Sequence, residues 1–325
     1  MNRILRSSAL LALACLLYAP DATAQLAQIQ LIPNQTDRMD VYTNGAAVVE
    51  ASNGDIVAII VESGEFTNTS QFPWEGTPAN LVVHRTTDAG ATWEEKTTLR
   101  TGIDDYGTQG IGRPRATVLP SGRIILTILY TLDVFPNYDV QLEIYTSDDH
   151  GATWDLLNTR EPEVASLNVM PSGTILALDF QNEYSEYWWS TSPDGGDTWT
   201  TGAFVTQTGP ICGSVDLVAV TDTEWIFSNA DCAFGPGGTN HVYIRTTQDA
   251  GATWSDPVEV TTARSGFGTL GGLVQQDDGT FWLVYADEFQ LTYRTATFED
   301  GEMTIGAPTV WTVGTSQSRD SPPIC

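Results

Sequence analysis

The segment TTDAGATW at residues 86–93 is the first of four similar segments, followed by SDDHGATW at 147–154, SPDGGDTW at 192–199 and TQDAGATW at 247–254. They share the pattern Ser/Thr-x-Asp-x-Gly-x-Thr-Trp. A fifth segment, TFEDGEMT at 297–304, is degenerate, because Glu299 replaces the aspartate and Thr304 replaces the tryptophan. The third residues of the five segments stand at positions 88, 149, 194, 249 and 299, and the spacings of 61, 45, 55 and 50 fit four-stranded propeller blades.

The chemistry of the repeated segment, here called the Asp box, predicts a tight turn. Its carboxylate and first hydroxyl can accept hydrogen bonds from backbone N–H groups, and its glycine permits positive φ. Its tryptophan can pack against the neighbouring sheet. Four boxes at blade-length spacing therefore predict a turn at the same place in successive blades.

A second repeated element precedes each box and has the form strand, turn, strand. It occurs at residues 46–57 (AAVVEASNGDIV), 115–126 (RATVLPSGRIIL), 167–176 (LNVMPSGTIL), 215–227 (VDLVAVTDTEWIF) and 272–282 (GLVQQDDGTFW). Helical periodicity is not evident after the first 25 residues. The fold class is therefore all-β, with five antiparallel blades of strands A, B, C and D between about residues 42 and 313.

The two ends of the chain predict part of a sixth blade. Residues 27–32 (AQIQLI) and 318–324 (SRDSPPI) each read as one strand, and propellers close by joining both ends of the chain in one blade. Two strands of that blade are missing. We expect residues 25–325 to form a single propeller domain that is truncated at Cys325, the other possibility being a five-bladed ring with extra edges.

The first 24 residues have the features of a signal peptide. Arg3 and Arg6 precede an apolar run at residues 9–19, and the small residues of 22–24 (ATA) form a cleavage site. We expect a secreted or periplasmic protein that begins at Gln25. No later apolar run is long enough to cross a membrane.

The charge of the chain excludes some partners. It carries 14 basic and 41 acidic residues, with a formal net charge of −27. Nucleic acids and anionic membranes are not expected partners, because binding phosphate requires a basic surface.

Cysteine and histidine give no sign of a metal site. Cys212 and Cys232 lie at equal distances from Asp222, so they face each other at the open end of the predicted hairpin 215–227 and can form a disulfide. Cys325 is left over. Neither a CxxC motif nor clustered histidines accompany them, so no metal and no cofactor is predicted.

The boxes, the hairpins and the Arg113-Pro114 pair at a strand entrance resemble the sialidase (neuraminidase) superfamily of six-bladed propellers over residues 40–325. That resemblance implies hydrolysis of a terminal sialic acid with retention of configuration. It implies three arginines that bind the sugar carboxylate, a tyrosine nucleophile activated by a glutamate, and an aspartate as acid and base.

Topology restricts where such a site can lie. In a four-stranded blade, the beginnings of strand A and the B–C loops lie on one face of the propeller, and the boxes lie on the other. The box carboxylates are therefore expected to be structural, as are Arg85 and Arg245, which immediately precede a box. The box carboxylates are Asp88, Asp149, Asp194 and Asp249.

The resemblance assigns the three arginines to Arg113, Arg264 and Arg319. Arg113 stands where the family has Arg-Ile-Pro, although the intervening residue is missing here. Arg264 lies before blade five and Arg319 before the sixth blade, the blades in which the family places its second and third arginines. The family's tyrosine then corresponds to Tyr42, before blade one.

The carboxylates follow the family less closely. The loop after strand B of blade two, residues 131–139, offers Asp133 or Asp139 as the acid and base. Glu62, expected directly after strand B of blade one, and Glu75, in the long B–C loop of that blade, are the candidates for the glutamate that activates the tyrosine. None of the four has the family's local sequence.

Two other kinds of function fit the same pattern. One is a related carbohydrate-active propeller, an exo-arabinanase-like hydrolase or a uronate polysaccharide lyase. Arg113, Arg115 and the aromatic segments 72–75 and 135–138 would then bind another glycan. The other is a non-catalytic binding or scaffold propeller, which needs no pair of carboxylates.

Overall fold

The structure is a computed structural model that describes most of the chain between Ala46 and Trp311. The described ranges are 46–63, 79–94, 97–101, 111–131, 140–160, 164–181, 186–207, 215–232, 239–261, 264–265, 270–276, 278–287 and 290–311. These residues form strands and turns, without a helix among them. The same ranges contain no helix that is long and apolar enough to cross a membrane.

Five antiparallel sheets follow one another along the chain, and each has the predicted strand order A, B, C, D. Blade 1 comprises β1 (Ala46–Glu50), β2 (Ile56–Ser63), β3 (Ala79–Thr86) and β4 (Thr97–Thr101). Blade 2 comprises β5 (Ile111–Val118), β6 (Ile124–Thr131), β7 (Val140–Ser147) and β8 (Asp155–Arg160). Blade 3 comprises β9 (Val164–Val169), β10 (Ile175–Gln181), β11 (Glu186–Ser192) and β12 (Thr200–Gln207).

Blades 4 and 5 differ from the others because their outer strand is divided into two pieces. Blade 4 comprises β13 (Asp216–Ala219), β14 (Trp225–Cys232) and β15 (Thr239–Thr247), with β16 (Val258–Glu259) and β17 (Arg264–Ser265) both paired to β15. Blade 5 comprises β18 (Leu270–Gln275), β19 (Phe281–Asp287) and β20 (Gln290–Glu299), with β21 (Glu302–Ile305) and β22 (Thr309–Trp311) both paired to β20.

The A strands are the innermost strands of the propeller. β1 contacts β5, β5 contacts β9, β9 contacts β13 and β13 contacts β18, so the five A strands follow one another in blade order. The predicted all-β propeller with five evident blades is confirmed. Residues 27–32 and 318–324, which we assigned to a sixth blade, lie outside the described residues.

Apolar clusters fill the space between successive blades. Ile59 and Leu126 belong to the cluster between blades 1 and 2, and Ile125 and Leu167 to the cluster between blades 2 and 3. Leu178 and Phe227 pack between blades 3 and 4, and Ile226 and Leu283 between blades 4 and 5. Membership of these clusters shows which neighbour each side chain faces, because side chains alternate between the faces of a strand.

The box turn has the predicted geometry. In the first box, the hydroxyl of Thr92 donates to Asp88 Oδ2 at 2.6 Å and the backbone N–H of Thr92 donates to Asp88 Oδ1 at 2.8 Å. The N–H of Gly90 donates to Thr86 Oγ1 at 2.9 Å, and Gly90 has a φ of 90°. The other three complete boxes repeat this network.

The box tryptophans are half-buried and pack against apolar clusters. Trp154, Trp199 and Trp254 pack against the clusters that join their own blade to the preceding one. Trp93 packs on the face of blade 1 that points away from blade 2. Each side chain lies at the end of a sheet, so part of its ring stays in contact with solvent.

The fifth segment is not a box. β20 and β21 are joined directly by Asp300 and Gly301, which have φ values of 52° and 84°. Two residues with positive φ form the two-residue hairpin turn for which Asp-Gly is a favoured sequence. The degenerate repeat at 297–304 thus keeps its place in the blade but has a different turn.

Candidate functional site: the strand-entrance face

The two faces of the propeller have different roles. We call the face where the A strands begin the entrance face and the face that carries the boxes the box face. Asp88, Asp194 and Asp249 lie on the box face, and hydrogen bonds from the threonine four residues later hold the pKa of each near 2. Because their carboxylates accept the hydrogen bonds that hold the turns together, the box aspartates are structural, as the sequence predicted.

Arginines near the boxes are also structural. Arg85 pairs with Asp55 at 3.1 Å. Arg245 donates to the carbonyl oxygen of Ser255 at 3.2 Å. On the same face, Arg123 forms a two-pronged ion pair with Asp148, with distances of 2.7 and 2.8 Å. The candidate ligand site that the sequence predicts lies on the opposite face, the entrance face.

Three A strands are irregular just where they enter the propeller. β5 carries one extra residue between Gly112 and Arg115, relative to β6. β9 carries an extra residue before Ser166, and β18 carries one before Gly272. Such bulges redirect side chains and are common beside functional sites. All three lie on the entrance half of their strands.

One position on each A strand forms a ring around the axis, which we call the channel ring. Each member pairs with the fourth residue of its strand B, as the strand registers show. The members in blade order are Ala47, Arg115, Ser166, Asp216 and Gly272. Three consecutive polar side chains therefore occupy blades 2 to 4.

Asp216 is the best connected member of the channel ring. Its Oδ1 accepts the hydroxyl of Ser166 at 2.5 Å and the N–H of Leu217 at 3.0 Å, and its Oδ2 accepts the N–H of Leu273 at 3.4 Å. Burial raises the pKa of Asp216, and these bonds and the charge of Arg115 offset only part of that effect. One carboxyl group thus joins the innermost strands of blades 3, 4 and 5.

The fifth residue of strand B forms a second ring, which we call the B ring. In blade order its members are Ile60, Ile128, Asp179, Asn229 and Tyr285. The members in blades 1 and 2 are apolar, whereas those in blades 3 to 5 are polar. Side chains of the channel ring face the following blade, and side chains of the B ring face the preceding blade. The polar members of the two rings therefore lie in the interfaces between blades 2 and 3, 3 and 4, and 4 and 5.

Asp179 forms an ion pair with an arginine from the preceding blade. Arg160, at the end of β8, donates to Asp179 Oδ2 at 2.6 Å and to Ser190 Oγ at 3.2 Å. Its guanidinium also lies 4.3 Å from the centre of the Trp199 ring. Burial raises the pKa of Asp179, while the Arg160 charge opposes the shift. This pair closes the interface of blades 2 and 3.

Asn229 differs from its neighbours in the B ring. It is 1% exposed, and neither its amide nitrogen nor its amide oxygen has a hydrogen-bond partner among the described residues. By contrast, Tyr285 accepts a bond from Arg294 Nε at 3.1 Å. An unpaired buried amide is rare in native proteins and calls for an explanation.

Three of the predicted site residues fall in described strands, although only their backbone is described. Arg113 lies in the bulged segment of β5 at the entrance face. Glu62 lies within β2, opposite Asn80, and not after the strand as predicted. Arg264 lies in β17, opposite Asn240, and not in a loop before blade 5, because the outer strand of blade 4 resumes there.

The remaining predicted residues lie outside the described residues. These are Tyr42, Glu75, Asp133, Asp139 and Arg319. Cys212 also lies outside, so the predicted disulfide with Cys232 at the end of β14 remains a prediction. Among the described residues, no three His, Cys, Asp or Glu side chains are grouped to hold a metal.

Sequence reasoning did not select Asp179, Asp216 or Asn229. The signal that could have found them is a polar residue inside an otherwise apolar strand, as in LALDFQ of β10 and WIFSNA of β14. Such a residue must be buried with a partner or be kept for function. That test requires the register of the strands, which the motif search did not supply.

The sequence profile of the BNR repeat-like domain family matches residues 25–233. The chain belongs to this family. Among curated proteins, none matches the sequence of this BNR-repeat propeller. Solved structures also match, and at identities below 20% their likeness shows the fold alone.

Three of those structures are sialidases or related enzymes. The Hadza microbial sialidase Hz136 is 19% identical with a TM-score of 0.57, covering 81% of this chain and 57% of that one. The NanB sialidase of Streptococcus pneumoniae is 11% identical with a TM-score of 0.59, covering 82% and 61%. The intramolecular trans-sialidase of Ruminococcus gnavus is 13% identical with a TM-score of 0.59, covering 85% and 86%. The match spans about three-fifths of the first two proteins.

Proposed function

We propose that this BNR-repeat propeller is an exported glycoside hydrolase that removes a terminal anionic sugar, in the manner of an exo-α-sialidase. One observation carries the proposal. Polar side chains occupy the interfaces of blades 2 to 5 in the half of the propeller where the A strands begin. Buried polar side chains at one end of a fold, among them the carboxyl groups of raised pKa of Asp179 and Asp216, are a feature of many ligand sites. Because the chain has a net charge of −27, it repels an anionic sugar overall, and arginine side chains at the site are needed to bind the sugar carboxylate.

The sugar carboxylate is bound by Arg113, Arg264 and Arg319 in this proposal. A guanidinium can donate two parallel N–H bonds to a carboxylate, which lysine cannot reproduce. Arg113 supports the assignment best, because its backbone lies in the bulge of β5 at the entrance face.

The reaction itself proceeds by double displacement. Tyr42 attacks the anomeric carbon and gives its proton to Glu62 or Glu75, while the bond from that carbon to the departing oxygen breaks. Asp133 or Asp139 protonates the departing oxygen and then deprotonates a water that attacks the anomeric carbon. The bond from that carbon to Tyr42 breaks in this second step, and the glutamate returns the proton to the tyrosine. Two inversions give retention. A neutral nucleophile suits an anionic sugar, because it avoids charge repulsion.

Hydrolysis of 4-methylumbelliferyl α-N-acetylneuraminide, followed by fluorescence, tests the proposal. We expect turnover by the wild type and a loss on the order of 30-fold or more in kcat/KM for Arg113→Lys, about 2 kcal/mol of lost binding to the transition state. Arg123→Lys is the control, because Arg123 lies on the box face and pairs with Asp148.

Two outcomes would contradict the proposal. Equal behaviour of the two variants would show that Arg113 does not bind the sugar. Cleavage of uronate-containing glycans without any cleavage of the sialoside would assign the chain to another carbohydrate-active class.

A further inference from the structure

Asn229 is a buried amide at a position where a hydrogen-bond partner is expected. It lies in the entrance half of β14, two residues beyond Phe227, whose ring contacts Tyr187 of blade 3 at a centroid distance of 5.5 Å. Its side chain faces blade 3, as does that of Phe227, because residues two apart share a face of a strand. The amide therefore sits between two blades, on the entrance side of an aromatic contact.

The described residues around Asn229 form no hydrogen bond with its side-chain amide. An asparagine offers two N–H donors and one carbonyl acceptor, and neither polar atom is bonded to a described residue. The nearby polar member of the channel ring that faces the same interface, Ser166, gives its proton to Asp216. Leucine has nearly the same shape as asparagine and would cost nothing in hydrogen bonds.

The two flanking interfaces are different. Between blades 2 and 3, Asp179 is paired with Arg160. Between blades 4 and 5, Tyr285 is bonded to Arg294. Asn229 is thus the polar B-ring residue whose side chain lacks such a partner in the described part of the protein. Residues that break a rule of stability are expected at functional sites.

We propose that Asn229 binds an uncharged polar group of the sugar, a hydroxyl or an amide, at the entrance face. This inference rests on the proposed function and extends it, because it adds a neutral contact to the arginines that bind the carboxylate. An amide that both donates and accepts recognises a group that does the same, and it rejects an apolar group at that position. The substrate is then an acidic sugar with a hydroxyl or acylamino substituent that reaches the interface of blades 3 and 4.

The test compares Asn229→Leu with Thr292→Val. Thr292 also carries a buried hydroxyl without a partner among the described residues, but it lies on β20, farther from the axis. We expect Asn229→Leu to raise the Tm by about 2 °C, since it removes an unpaired polar group. We also expect it to weaken binding of N-acetylneuraminic acid at least tenfold by calorimetry. Thr292→Val should leave that affinity unchanged.

Other outcomes separate the inference from the proposed function. If Asn229→Leu binds the sugar as the wild type does, Asn229 has no ligand role and the inference is wrong while the proposed function stands. If its Tm falls, or if Asn229→Leu does not fold, the amide has a structural partner and the inference fails. If the wild type binds neither N-acetylneuraminic acid nor galacturonic acid, the proposed function and the inference fail together.

Discussion

The hydroxyl of Ser166 donates to Asp216 Oδ1 across 2.5 Å, and this bond joins the innermost strands of blades 3 and 4 at the entrance face. The same carboxyl group accepts the N–H of Leu273 from blade 5. A single buried side chain therefore fixes three consecutive blades around the axis. Because both groups are buried, the loss of either one leaves polar atoms that water cannot reach.

Ser166→Ala should lower the free energy of unfolding by about 1–3 kcal/mol, since it leaves the Asp216 carboxyl without one of its donors. Urea denaturation followed by tryptophan fluorescence measures the change. Ser172→Ala is the control, because Ser172 lies exposed in the turn of the same blade on the box face. Equal stability of the two variants would mean that the Asp216 contact does not hold the blades together.

Glycines of the boxes provide a matched pair. Gly151 and Gly90 have φ values of 86° and 90° at equivalent positions. A Cβ on Gly151 would lie 2.6 Å from Val57 Cγ2, whereas a Cβ on Gly90 would meet no atom within 4 Å. Gly90→Ala should therefore cost about 1–2 kcal/mol for the backbone alone, and Gly151→Ala should cost more.

The measurement for this pair is the midpoint of thermal unfolding. Adding Val57→Ala to Gly151→Ala should remove the steric part of the loss, because the clash is with that side chain. If Gly90→Ala is as damaging as Gly151→Ala, the contact between blades 1 and 2 is not the reason that Gly151 is required.

The box tryptophans should contribute less than fully buried ones. Trp154 is half-buried and donates its indole N–H to the carbonyl oxygen of Gly151 at 3.0 Å. Trp154→Ala should cost about 2–3 kcal/mol, below the upper range for a buried aromatic side chain. Leu156→Ala is the control, because Leu156 is 52% exposed. A Trp154→Ala variant as stable as Leu156→Ala in urea would contradict the packing assigned to the box.

Acid should weaken the boxes. The pKa of Asp88 is lowered from 3.8 to about 2 in the folded protein, first of all by the hydroxyl of Thr92. A lowered pKa means that the charged form stabilises the fold above about pH 4 and that this contribution is lost as the pH falls through 2. Asp88→Asn should therefore be less stable than the wild type at pH 6, and most of that difference should be gone at pH 2. A difference that does not change between those values, measured by thermal unfolding, would contradict the assigned hydrogen bonds.

The fold could be predicted from the sequence because successive blades repeat the same hairpin and the same turn motif. The glycine and aspartate of TTDAGATW dictate a turn by local chemistry alone, and four copies at blade spacing fix the architecture. The degenerate fifth segment lies at its expected place in blade 5, but Asp300-Gly301 leaves only two residues between the strands, so its turn is a hairpin turn and not a box.

The candidate site was less accessible to sequence reasoning. Arg113 was selected from a short pattern, and its backbone lies near the beginning of β5; its role in a site stays a prediction. Asp179 and Asn229 escaped because their significance depends on which strand they face across a blade interface. Arg160 and Asp179 are 19 residues apart and belong to different blades, and no local pattern records that contact.

A crystal structure of the protein with N-acetylneuraminic acid bound tests the central claim most directly. The account predicts the sugar on the axis at the entrance face, with its carboxylate on Arg113 and a hydroxyl or acylamino group within hydrogen-bond distance of Asn229. A sugar bound on the box face, or on the outer strands of the blades, would contradict it.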